Sequence, residues 1–182
     1  MRKKIIVFFI CFIILITSYK EENVVENKIL EDKVISDTKK VNILYKDSVV
    51  NLDLEDYVVG VVACEMPASF DIEALKAMAV AARTFALYKI KTNKNYKLKT
   101  DTKDQCYISK SSMKKQWGNS FDKNYNKIKK AVSDTENEYL TYKDKVIIAF
   151  YFSISNGKTE NCENVFSQKL DYLVSVDSKW DK

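Results

Sequence analysis

Glu65 ends the apolar run VVGVVACE and stands two residues before Pro67, the only proline in 182 residues. A proline stops a helix, because its ring clashes with the preceding turn and its nitrogen carries no hydrogen. The residue before it is driven out of helical geometry. Glu65 is therefore expected at a helix terminus, among Val61, Val62, Met66 and Phe70, with Gly60, one of only three glycines, in the same stretch. A carboxylate so placed is either a solvated end or a working acid. Arg83 is the second candidate, since Arg2 and Arg83 are the only arginines among 30 basic residues. Its planar fork holds a carboxylate or sugar oxygens with two parallel hydrogen bonds, which lysine cannot do; an ordinary ion pair is the alternative. Tyr151, Ser153 and Ser155 fall on one face of an extended segment, where they would meet sugar hydroxyls or simply water. Gln105, Tyr107 and Ser109 share a face in the same way.

Other chemistries are thinly supported. The chain has no histidine, so proton transfer falls to a carboxylate, Tyr, Lys or Cys, and the commonest metal ligand is missing. There is no G-x-S-x-G, no phosphate-cradling loop and no paired metal-ligand motif. The net charge of +5 includes Arg2, Lys3 and Lys4; without them 27 basic residues face 25 acidic ones. That balance gives no field for steering nucleic acid. Cys64, Cys106 and Cys162 contain no C-x-x-C pair. A disulfide between two of them is open, but spacing does not reveal connectivity, and the preferred expectation is three small, partly buried hydrophobes.

The elements that must place these residues follow from pattern. With 46% hydrophobic and 12% aromatic content, the chain can build one core, and its length suits one domain. Residues 2–4 (RKK) followed by IIVFFICFIILITSY read as a signal anchor over 1–19, short for a full span but extended by snorkelling Lys4 and Lys20. No A-x-A pattern follows, which favours retention. Residues 20–40 are half charged and read as a stalk. VNILYKDSVVNLDL is expected to form a hairpin around Lys46 and Asp47. Asp53 then caps a helix from Leu54 to about Glu65, and Ser69 or Asp71 caps a longer one from Ile72 to about Lys91. Residues 101–109 read as a short strand or extended loop, and 121–133 as a polar helix. A second hairpin is expected from 139–142 and 145–155, with Val146, Ile148, Phe150, Phe152 and Ile154 on its core face. The final LDYLVSV is expected to pair with that hairpin.

LEDYVVGVVACEMPASFDIEALKAMAVAARTFAL resembles the signature of the stage II sporulation protein D family, which includes amidase-enhancer-like relatives. FSISNGKTENCENVF, followed by LDYLVSVDSKWD, resembles its second motif block, so the likeness covers 41–182. The resemblance implies an α+β domain of β-hairpins packed with two main helices around a glycan-binding cleft, held by an N-terminal membrane anchor. It implies a lytic transglycosylase that cleaves peptide-stripped peptidoglycan strands during engulfment of the forespore. The alternative is a non-catalytic or weakly active glycan-binding scaffold of the engulfment complex, or a truncated inactive fragment. The amidase and membrane proteins of the engulfment complex are the implied partners, and nucleic acid is not. The location implied is the mother-cell membrane, single-pass, with the domain outside the cytoplasm facing the septal wall. Glu65 matches the catalytic glutamate of an E-M-P triplet, and Arg83 the arginine of A-A-R-T. Arg83, Ser153, Ser155 and Lys158, with Tyr107 and Tyr151, become the residues expected to hold sugar.

A single carboxylate suits that reaction. Hydrolysing glycosidases use two, whereas a lytic transglycosylase attacks with the C6 hydroxyl of muramic acid itself. Val61, Val62, Met66 and Phe70 are expected to exclude water from the Glu65 carboxyl. Two departures from the family stand out. Some members bind zinc near the segment matching DTKDQCYIS, but Lys103 and Asp104 stand here and histidine is absent, so no metal and no cofactor are expected. The chain also ends at SVDSKWDK, before a glycine- and histidine-containing segment found in relatives, so the catalytic domain is expected to be incomplete at its C-terminus.

Overall fold

A computed structural model describes residues 38–179. The expected anchor over 1–19 and all but the end of the stalk lie outside the described residues. Among those described, no helix is long and apolar enough to cross a membrane.

The chain is an α+β fold. Strands β1 (Lys40–Tyr45) and β2 (Ser48–Asp53) form the expected antiparallel hairpin, with Tyr45 opposite Ser48. Lys46 and Asp47 both take positive φ, 50° and 62°, the two-residue turn whose twist matches that of the strands. Val41 and Ile43 point into the core while Lys40, Asn42 and Leu44 face solvent. On the other edge of β1, β3 (Leu98–Lys99) pairs in parallel.

Helix α1 (Leu54–Glu65) follows β2 directly, and every residue from Tyr57 to Ala63 is buried. A helix apolar on all sides must be wrapped by others, and α1 packs against both α2 (Ile72–Thr92) and α4 (Phe121–Asp134). It ends as Pro67 dictates, with Met66 extended at φ −135° and ψ 134°. Asp71 caps α2 by accepting from the Glu73 N–H at 2.9 Å. Fully buried Ala79, Ala82 and Ala86 let α2 approach its neighbours closely. Helix α3 (Lys110–Trp117), capped by Ser109, was not anticipated from the sequence.

The second hairpin is much shorter than expected. Strands β4 (Thr141–Tyr142) and β5 (Lys145–Val146) pair for two residues each, and residues 147–155 are irregular. Val146 and Ala149 are buried, but Phe150, Phe152 and Ile154 are 39%, 62% and 69% exposed. A period-two pattern becomes a core face only where a partner strand and a packing surface exist, and no named strand pairs with 148–155 among the described residues. The final LDYLVSV lies instead along 157–162. There Thr159 N–H donates to Val176 at 2.8 Å and Cys162 N–H to Leu173 at 3.1 Å, across the short helix α5 (Cys162–Phe166).

Candidate functional site

Glu65 is the last residue of α1 and is exposed. Its Oε1 accepts two hydrogen bonds, from the backbone N–H of Cys106 at 2.7 Å and from the Tyr151 hydroxyl at 3.2 Å. The apolar shell expected around it is not what the fold provides. Val61 and Val62 are wholly buried in the core and Phe70 is 48% exposed. Two polar donors hold the carboxylate instead.

Those donors are themselves fixed from within. Tyr151 O accepts from Gln105 Nε2 at 3.2 Å, and Gln105 Oε1 accepts from the Tyr57 hydroxyl at 3.1 Å. Gln105 is 1% exposed and Tyr57 is fully buried. Burial, first of all, holds both phenols well above the ordinary tyrosine value, and the Glu65 carboxylate adds to this at Tyr151. Both therefore stay protonated at neutral pH, and the chain has one polarity: Tyr57 to Gln105, Gln105 to Tyr151, Tyr151 to Glu65.

The 105–108 segment reaches Glu65 because α1 carries a glycine where they touch. A Cβ on Gly60 would overlap the Tyr107 ring and come within 2.9 Å of the Ile108 carbonyl. Ile108 N–H also donates to the Gly60 carbonyl at 3.2 Å. Upstream, the fully buried Asp104 carboxylate anchors the same loop through Lys89, Tyr96 and the Lys99 N–H. Cys64 and Cys106 form a disulfide, Cα to Cα 5.6 Å, and Cys162 alone is free and buried among the described cysteines. This corrects the expectation of three hydrophobe-like thiols. The bond joins the residue before Glu65 to the residue whose N–H binds Glu65.

The other candidates divide. Tyr151, Ser155 and Lys158 line one groove of about 650 Å³ together with Phe150, Phe152 and Phe166. Ser153 is exposed and outside that lining. Tyr107 is half buried, stacked on Tyr57 at 5.7 Å and edge-on to Tyr45 at 5.3 Å, so it braces the loop. Arg83 stands elsewhere. It is 1% exposed; its Nε and Nη2 grip Glu55 at 2.8 and 2.6 Å, and it donates further to the Glu138 and Val132 carbonyls. Glu55 opens α1 and Glu65 ends it, about 15 Å apart at the helical rise.

Sequence reasoning missed Tyr57, the bridging role of Gln105 and the Cys106 N–H. One signal was available: Cys64 precedes Glu65 and Cys106 follows Gln105, so a single bond brings acid and amide together. Among the described residues, no cluster of three or more His, Cys, Asp or Glu is arranged to hold a metal.

Residues 42–142, which carry Tyr57, Glu65, Arg83, Gln105 and Tyr107, match the family described as SpoIID, Stage II sporulation protein. The chain is 48% identical over 141 residues to Stage II sporulation protein D of Bacillus amyloliquefaciens, and equally to that of Bacillus subtilis (strain 168). Each match covers 74% of this chain and 41% of the relative, so the chain spans about two fifths of their length. It is also 38% identical over 116 residues to a Bacillus subtilis protein named Amidase enhancer, covering 64% of this chain and 14% of that one.

Proposed function

This chain belongs to the SpoIID, Stage II sporulation protein, family, and from that premise we propose that it is a lytic transglycosylase of sporulation. In this reading it cuts peptide-stripped peptidoglycan strands with Glu65 as both acid and base. The observation that carries it is the seating of Glu65: exposed, at a helix end, with both donors on Oε1. Oε2 is thereby left for substrate. Protonated Glu65 gives its proton to the glycosidic oxygen as the bond to C1 of the muramic residue breaks. The resulting carboxylate takes the proton of the C6 hydroxyl as that oxygen bonds to C1, closing a 1,6-anhydro ring and restoring the acid. No water is consumed. Tyr151 and the Cys106 N–H aim the carboxyl, and the groove shared by Tyr151, Ser155 and Lys158 receives the strand.

The names of the relatives support the setting. Two are sporulation proteins and one is an amidase enhancer, which favours a cell-wall role beside an amidase that supplies stripped strands. The Cys64–Cys106 disulfide supports a domain outside the cytoplasm, where such bonds persist, and the apolar run IIVFFICFIILITSY after Arg2, Lys3 and Lys4 supports a membrane anchor over 1–19. The test is incubation of the full-length chain with amidase-stripped glycan strands and mass analysis of the products. Anhydro-ended fragments, one water lighter than hydrolysis would give, are expected. Hydrolytic ends, or no cleavage, would overturn the reading.

A further inference from the structure

A second groove, of about 660 Å³, runs along the turn that carries Glu65. One wall is the 63–69 stretch, including Cys64 and Met66 on either side of Glu65; the other holds Gln116, Trp117, Lys123, Asn124 and Lys127. Trp117 is half buried, with its ring 6.4 Å from that of Phe121, a braced flat surface of the kind that takes an apolar ring face. Gln116 and Asn124 offer amide donors and acceptors. The Lys127 ammonium donates to the Ala68 and Phe70 carbonyls, which fixes its position and leaves one N–H unused. No Asp or Glu is among the residues that line this groove.

An aromatic platform, two amides and two ammonium groups without a countercharge fit a sugar that bears a carboxylate. Tyr151, whose hydroxyl donates to Glu65, lines the first groove, and Cys64 and Met66, the chain neighbours of Glu65, line this one. We propose that the Trp117 groove binds sugar rings carrying free carboxylates, with Trp117 stacked on a ring and Lys123 and Lys127 paired with the acid. This rests on the glycan reading above. Within it, the acid is the lactyl carboxylate of muramic acid, which is bare only after its stem peptide has been removed. The groove thus reads whether a strand has been stripped.

The test separates this proposal from the reading beneath it. Wild-type turnover of stripped strands checks the reaction. Calorimetric binding to full-length Glu65→Gln protein checks the groove without turnover, using two probes: stripped strands, and the same strands with their carboxylates converted to carboxamides. Stripped strands should bind at least about tenfold more tightly, the scale of one charge-assisted hydrogen bond. Adding Lys123→Gln should shrink that ratio, and adding Trp117→Leu should weaken both probes, with melting curves confirming the fold. Equal affinity for the two probes at low salt overturns the groove proposal whatever the turnover. Absence of binding by either probe overturns both.

Discussion

Helix α1 carries a glutamate near each end, and the two are held by different chemistry. Glu55 meets a guanidinium that grips both its oxygens at 2.8 and 2.6 Å and anchors itself to two backbone carbonyls. Glu65 meets a peptide N–H and a phenol, both neutral and both on one oxygen. A carboxylate clamped by a permanent cation fixes an architecture: here Arg83 ties α1 to the end of α4 and to the stretch leading to β4. A carboxylate steadied by neutral donors keeps an oxygen for substrate and can pass a proton on. Residues 42–142, which match the family, contain both Glu65 and Arg83, and the fold sends them to opposite ends of α1.

The largest expected effect lies at the Glu65 end. Glu65→Gln keeps shape and removes the transferable proton, so turnover of stripped strands should fall by at least about a hundredfold, and as much as ten-thousandfold. As an exposed substitution it should leave melting nearly unchanged. Glu55→Gln should do the reverse, lowering the melting temperature while sparing turnover per folded molecule. The contrast fails if Glu55→Gln abolishes turnover at unchanged stability.

Next in size is the disulfide. Its cysteines are 42 residues apart, and a loop of that length is worth up to about 4 kcal/mol on the chain-entropy account. Cys64→Ala with Cys106→Ala should lower stability by a sizeable part of that. It should also raise KM or lower kcat, because the N–H that aims Glu65 is no longer tied beside it. Unchanged turnover in a folded double variant would show that Gly60 and the buried Gln105 suffice to place the loop.

Arg83→Met follows. Removing one partner of a buried pair typically costs about 3 kcal/mol or more, and Glu55, with its side chain 32% exposed, points to the lower end. Urea melts should show that loss, while glycan binding by the folded fraction stays near wild type. If Arg83→Met instead melts normally and loses glycan affinity, the sequence-based assignment of Arg83 to substrate is right and the geometric one is wrong.

What was legible in the sequence follows the range of the forces involved. The first hairpin, α1 and α2 were readable because their determinants are local: Lys46 and Asp47 at the turn, Asp71 at the cap, Pro67 at the stop. The 145–155 arm was misread because alternation in KVIIAFYFSIS says which residues share a face, not whether anything covers that face. Phe152 and Ile154 show that nothing does among the described residues. The place of Glu65 at a helix end was legible from Pro67, but its surroundings were not. Tyr57, Gln105 and Tyr151 lie 48 and 46 residues apart along the chain, and no spacing rule connects them. Arg83 was singled out as a fork that holds a carboxylate or sugar oxygens, and pattern could not choose between them; the fold pairs it with Glu55.

The smallest expected effect tests the inner end of the Glu65 support. Burial raises the Tyr57 and Tyr151 phenols above the tyrosine value of about 10 that an unfolded chain would show. The folded state therefore prefers both neutral. Their contribution to stability is complete below about pH 10 and declines as pH rises from there through the higher folded values, since the unfolded chain sheds those protons first. For Tyr57 alone the loss between pH 10 and 11 is on the order of 1 kcal/mol. The raised Lys89, held by Asp104 against the cost of its own burial, loses its contribution in the same direction. Tyr45, lowered by its Ser109 and Ser112 hydrogen bonds, works against both. Wild-type stability should thus fall from pH 9.5 to 11, and Tyr57→Phe should make that fall shallower while starting lower, because Gln105 Oε1 loses its donor. The same slope in wild type and Tyr57→Phe would mean that Tyr57 does not contribute, and that the chain of donors steadying Glu65 begins at Gln105.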